Sequence, residues 1–501
     1  MQLGSLHIPN SESQTLGRTG AVIMVMERSD VSLSLNTGMG IQGSKSVHNA
    51  RFTLNDLFKK DPLHMKENPM PCPKVDFILQ KINNCKVIYD HSVMAKNVVE
   101  AREFKRKTLL DILECIKQGK TELSDEVLKE LFEMFQVNIF RGLAPFNGDQ
   151  IKKGVPIVAM EYDEDKTNYE PSWPHLQIIY EILLRLLLHT EPKSLSKESF
   201  LDKTFVMRLL DHFDSEDPRE REILKTIFHR IYGKFTFLRS FMRKAVNNVF
   251  FQFIFETERH NGIGELLEIM GSIINGFVVP LKEEHKLFLT RVLIPLHKPK
   301  NMGNYHTQLQ YCVSQFVQKD SKLADVVIKG LIKFWPVTNC QKESLLLGEL
   351  EEVLEYTQEA GFSKCSVPLA RLLARSLTSF HSQVAERALY MWNNERFVNL
   401  VSANMADMLP MVIAAIEKNV NDHWNLSIQD QTLCVKKMLE SMDPELFKKC
   451  LHKFKEEESN SSHLRKNREH DWKRLEIMAT SKPSSEALNG FGSPLMSIEV
   501  M

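Results

Sequence analysis

No apolar run of membrane length stands in these 501 residues. A stretch such as Ala21–Met26 is six residues long, against the ~20 that a spanning helix needs. No charged-then-apolar signal segment opens the chain, so the expectation is a soluble intracellular protein, cytoplasmic or also nuclear. Cysteine is sparse and scattered. The eight are Cys72, Cys85, Cys115, Cys312, Cys340, Cys365, Cys434 and Cys450, and no two are closer than 13 residues. That spacing excludes a zinc ribbon and a dense disulfide framework, and implies buried or neutral thiols in a reducing compartment. Charge of either sign has no excess, with Lys+Arg 64 against Asp+Glu 64, so bulk electrostatics gives no reason to expect nucleic acid or an anionic membrane as partner. Gly 21 and Pro 20 are too few for a collagen-like or low-complexity chain.

Catalytic signatures are missing as well. There is no GxxxxGK[ST] phosphate loop, no HExxH, no G-x-S-x-G elbow and no kinase glycine loop with its Lys and Asp partners. No catalytic residue, cofactor or metal is therefore expected, and an enzyme is the minority reading. Residues 1–50 contain no Phe, Trp or Tyr but eight Ser and six Gly. Such a segment cannot offset its ordering entropy and is expected to be disordered. Within it, Gly38-x-Gly40-x-x-Gly43 mimics a dinucleotide fingerprint. No apolar-striped helix follows, as a βαβ unit requires, so it reads as a loop.

What the chain does have is helical periodicity. From residue 51 to 455, apolar positions recur at three-and-four spacing with short breaks. Asp217-Pro218-Arg219-Glu220 supplies an N-cap, a proline at the first helical position and an acid in the first turn, ahead of the stripe Ile223, Leu224, Ile227, Ile231. Comparable starts fall near 175, 218, 262, 304, 341, 383 and 425, each interval holding two helices. A period of about 42 residues with paired helices marks a HEAT- or armadillo-type array. The fold expected is all-α, a curved HEAT-like solenoid in which each pair buries its apolar face on its neighbours. From Glu456 the chain turns polar, and 456–501 is expected to be a tail, partly helical and then disordered.

The densest chemistry lies between Phe213 and Lys286. Successive helix ends carry Arg230 and Lys234, then Arg239, then Lys282 and His285, while Ile269 and Ile273 are four apart on one helix face. The bland reading is core for the isoleucines and solvated rim for the cations. Against it stand Gly262, Gly271 and Gly276, which cost helix stability unless something approaches closely. An apolar slot flanked by cations suits an extended acidic-hydrophobic peptide.

Several strings resemble the B-prime, 56-kDa class of regulatory subunits of protein phosphatase 2A. They are Ser172-Trp-Pro-His-Leu-Gln177, Phe213 to Arg221, His229 to Phe235, Ile273 to Phe277, Pro280 to Lys286, Gln383 to Tyr390, and Trp392-Asn-Asn-Glu395. The resemblance implies a pseudo-HEAT solenoid, not an enzyme itself, that docks on the phosphatase scaffold and catalytic subunits. It further implies recruitment of substrate or adaptor proteins through short Leu-x-x-Ile-x-Glu motifs. Carried over position by position, the peptide groove would comprise Thr226, His229, Arg230, Tyr232, Arg239, Ile269, Ile273, Lys282 and His285. The motif's Ile would meet Ile269 and Ile273, and its Glu would meet Lys282 and His285. Glu161, Asp163, Glu164 and Asp165 stand where the family carries an acidic regulatory loop. Phe228, Arg259 and Gly264 replace the Leu, His and Ala that the family leads one to expect beside the groove. The alternative is a generic helical-repeat adaptor that binds acidic-hydrophobic peptides without a phosphatase.

Overall fold

Residues 75–91, 93–118, 124–143, 169–190 and 200–481 are described by the computed structural model of the chain. Among them every regular element is a helix. Segment 1–50 with its Gly38-x-Gly40-x-x-Gly43 string, the acidic loop Glu161, Asp163, Glu164 and Asp165, and residues 482–501 lie outside the described residues.

The helices form two rows. In the first, Trp173–His189, Pro218–Lys234, Ile263–Asn275, His306–Lys319, Cys340–Glu355, Ser382–Tyr390 and Leu426–Met442 each pack on the next. These starts lie within two residues of those read from the sequence. In the second row, Arg239–Gln252, Leu289–Leu293, Ala324–Lys333, Ser366–Leu377, Met405–Asp422 and Pro444–Ser481 do the same. Apolar stripes on both rows meet between them, for instance Ile223, Leu224, Ile227 and Ile231 of the 218–234 helix, all buried. Each unit thus completes the core of its neighbours, as a helical-repeat array requires.

Helix ends explain how successive units lock. The last carbonyls of an α-helix have no partner within it. Here the following unit supplies one. Lys234 Nζ donates to Leu187 O at 2.5 Å and Thr190 O at 2.5 Å, at the end of the 173–189 helix. Lys319 Nζ does the same for Asn275 O at 2.8 Å and Phe277 O at 3.1 Å. Asn419 Nδ2 caps Leu377 O at 2.6 Å. Lys234, grouped with the groove cations by sequence, is therefore turned to the previous repeat.

Two buried polar clusters add to this. Glu220 takes both Arg141 Nη atoms at 2.8 Å, Tyr180 Oη at 2.6 Å and Ser215 Oγ at 2.6 Å. Glu349 takes His297 Nε2 at 3.0 Å and His306 Nε2 at 2.9 Å. The described cysteines are all free. The 444–481 helix runs unbroken across Lys455. What changes there is burial: Phe447 is buried, whereas every side chain from Lys455 to Thr480 is exposed. No single described helix is long and apolar enough to cross a membrane.

Candidate peptide-docking site

The helix Pro218–Lys234 carries Thr226, His229, Arg230 and Tyr232. Its start is fixed by the cap foreseen in the sequence: Asp217 accepts from Arg219 N at 2.9 Å, with Pro218 next in line. Its register against Ile263–Asn275 is set by two ion pairs, Arg221 to Glu265 at 2.8 Å and Lys225 to Glu268 at 2.5 Å. Residues 221, 225 and 229 share one face, as do 265, 269 and 273, because neighbours on a helix surface are four apart. The ion pairs therefore bring His229 to the same side as Ile269 and Ile273.

Those two isoleucines are buried, at 2% and 7% exposure. Two of the three neighbouring glycines have an internal explanation, whereas a Cβ on Gly276 would meet nothing closer than Ile273 O at 3.4 Å. A Cβ on Gly262 would lie 2.3 Å from Phe213 O, and one on Gly271 would lie 2.9 Å from two ring carbons of Tyr311. The close approach inferred from sequence is thus made by adjoining repeats rather than by a ligand. Phe228 likewise belongs to the core, edge-on to Phe213 at 5.7 Å between ring centroids. Arg259 is exposed.

The cations gather around Tyr232. Arg239 donates from Nε to Tyr232 O at 2.9 Å and from Nη2 to Gly233 O at 2.9 Å. Its guanidinium carbon stands 5.4 Å from the Tyr232 ring centroid, a cation–π contact as well as a helix C-cap. One turn on, Arg243 donates to Tyr232 Oη at 3.1 Å and to Glu284 Oε1 at 3.3 Å. Glu284 also lies 3.5 Å from His285 Nε2. The imidazole of His285 is stacked flat on Phe277, with centroids 3.6 Å apart. Its Nδ1 is buried with no hydrogen-bond partner. Lys282, at the N-cap of Glu283–Phe288, is exposed, as are His229 and Arg230, while Thr226, Tyr232 and Arg239 are half-buried.

Two histidines have altered acidity. Burial pushes His285 below the usual 6.5; Glu284 pulls the other way, and Arg243 and Lys282 add to the lowering. His229, exposed by area yet hemmed on one side by protein, is also lowered, first by desolvation and then by Arg230.

Contacts thus join Tyr232, Arg239 and His285 on one side, and the register of two helices joins His229, Ile269 and Ile273 on the other. Arg243, Glu284 and Phe277 went unnoticed in the sequence as site residues. Arg243 had a signal, being one helical turn from Arg239; the Glu284 contact had none, because it spans 41 positions. Among the described residues no group of three His, Cys, Asp or Glu side chains is arranged to hold a metal. The arrangement offers an aromatic–cationic rim beside an aliphatic face, which is equipment for binding.

Comparison with known proteins gives a consistent answer. A family model described as "Protein phosphatase 2A regulatory B subunit (B56 family)" matches residues 64–479. Among the relatives is the B' beta isoform of the 57 kDa regulatory subunit of serine/threonine protein phosphatase 2A from Arabidopsis thaliana. The chain is 50% identical to it over 422 residues, covering 84% of each protein. It is 45% identical over 475 residues to the 55 kDa B' delta isoform of the same plant, covering 94% of this chain and 95% of that one. The 57 kDa B' kappa isoform of Oryza sativa subsp. japonica is 43% identical over 458 residues, with 91% and 89% covered.

Proposed function

Because this chain belongs to the B56 family of protein phosphatase 2A regulatory proteins, we propose that its Tyr232–His285 face recruits proteins carrying Leu-x-x-Ile-x-Glu-type motifs to the phosphatase. The chain is a regulatory, non-catalytic subunit, and membership implies the scaffold and catalytic subunits as partners. The motif's aliphatic residue would rest on the Ile269/Ile273 face and its carboxylate would reach Lys282 and His285. Arg230, exposed on the same helix as Tyr232, would receive acidic or phosphorylated residues within the motif.

The observation that carries this reading is His285. A ring held flat on Phe277, with a buried Nδ1 lacking a partner, Nε2 turned to nothing but the exposed Glu284 carboxylate at 3.5 Å, and Lys282 exposed three residues away, is a rim on which an incoming carboxylate can be received. Lys282→Glu is expected to weaken a Leu-x-x-Ile-x-Glu peptide about tenfold. The larger loss of a buried pair does not apply, because Lys282 is exposed and solvent screens it. Titration calorimetry at two salt concentrations measures this, and equal affinity for parent and variant would place the groove elsewhere.

Acidity gives a second check. A carboxylate docked on His285 favours its protonated form, so binding should take up a proton and tighten as pH falls below the usual 6.5. The groups facing His285 are Glu284, Arg243, Lys282 and the Phe277 ring. Calorimetry in buffers of different ionisation heat reads the proton uptake. The same uptake in His285→Gln would assign it to another group.

A further inference from the structure

The cationic side of the site already holds a carboxylate. Glu284 Oε1 lies 3.3 Å from Arg243 Nη2 and 3.5 Å from His285 Nε2. Arg243 comes from the 239–252 helix and is itself braced by the hydroxyl of Tyr232, so this contact crosses between repeats. The two donors are held differently from the acceptor. His285 is fixed by its stack on Phe277 and Arg243 by Tyr232, whereas the Glu284 side chain is 55% exposed. It can turn into water without loss of packing, and its partners cannot follow.

On the reading of the site given above, we propose that Glu284 is an internal competitor for the acidic residue of a docked motif. Its carboxylate occupies the place beside His285 that the incoming carboxylate takes on its way to Lys282 and His285, and it is displaced when the motif seats. An exposed ion pair in water is worth little, so displacement is easy, but it is not free. The consequence is selectivity. A lone carboxylate, or an acidic chain without an aliphatic side chain to bury, exchanges one exposed ion pair for another and gains nothing. A peptide that also buries an aliphatic residue has the surplus to displace Glu284.

The test uses the full chain, parent against Glu284→Ala and Glu284→Gln, titrated with two peptides: a Leu-x-x-Ile-x-Glu peptide and the same peptide ending in Gln. Both substitutions should tighten the Glu peptide about two- to fivefold and leave the Gln peptide unchanged. Unchanged or weaker binding of the Glu peptide overturns the proposal, since Glu284 would then be idle or would be holding Arg243 in place for the ligand. Equal tightening of both peptides overturns it too, because the obstacle would be bulk rather than charge. Lys282→Glu in the same series separates the two readings. If it weakens the Glu peptide while the Glu284 variants do nothing, only the competitor falls; if no peptide binds the parent, the docking site falls with it.

Discussion

Glu349→Ala is expected to destabilise the protein by about 3–5 kcal/mol, the range for breaking a buried ionic contact by removing one partner. Glu349 and His297 are both fully buried, and Glu349, on Cys340–Glu355, links His297 to His306 and so ties three separate helical segments together. His297 Nδ1 is 2.9 Å from Ile294 O, so both its ring nitrogens face acceptors. Without the carboxylate, two imidazoles lose their acceptor in a dry interior. Burial by itself would raise the Glu349 carboxyl; the charges and hydrogen bonds of His297 and His306 more than offset this and hold it at about 2. The sign follows. A carboxyl depressed in the folded state contributes stability that is complete above its usual 4.5 and is lost as pH falls from 4.5 towards 2. Urea midpoints from pH 7 to 3 should show the gap between parent and variant closing below 4.5. A variant within 1 kcal/mol of the parent at pH 7 contradicts the account.

The Glu220→Ala substitution should be of similar size, about 3–5 kcal/mol, and should reach the proposed docking site. Glu220 is fully buried and accepts from Arg141, Tyr180 and Ser215. It stands in the first turn of the helix that carries Thr226, His229, Arg230 and Tyr232. Removing it leaves Arg141 with Glu170 at 2.8 Å but strands the hydroxyl of the fully buried Tyr180. The control is Tyr180→Phe, which removes one neutral donor and should cost only about 1–2 kcal/mol. Circular dichroism in urea gives the stability, and peptide titration below the transition gives the effect on the site. If the two variants cost the same, the charge on Glu220 is not what the cluster depends on.

Much of the array is legible in the chain because its punctuation is chemical. Asp217-Pro218 must begin a helix for reasons of hydrogen bonding, and the apolar stripe after it has one period. The placement of Thr226, His229, Arg230 and Tyr232 on one helix is legible for the same reason. Pairings between repeats are not. Arg243 with Glu284, or Lys319 with the Asn275 carbonyl, depend on how one helix slides against the next, which no local pattern states. The glycine signal at Gly262 and Gly271 is real, but sequence cannot say whether the close neighbour is a ligand or another repeat. Glu349 shows the converse. It interrupts the stripe Leu346, Leu350, Val353 at a core-facing position, and an acid there announces a buried partner without naming it.

The lysine caps give the array a mechanical character. An ammonium group donates in three directions from a flexible four-carbon stem and prefers none of them. Lys234 grips the carbonyls of Leu187, Leu188 and Thr190 over 2.5 to 3.3 Å, and Lys319 those of Asn275 and Phe277 over 2.8 to 3.1 Å. Such a joint resists being pulled apart, yet the nitrogen can exchange one oxygen for another when one helix tilts against the next. A guanidinium there would fix the angle through its planar fork. The lysine acts as a ball in a socket at the joints on either side of the 218–234 and 263–275 helices, while those two helices are held to each other by Arg221 with Glu265 and Lys225 with Glu268.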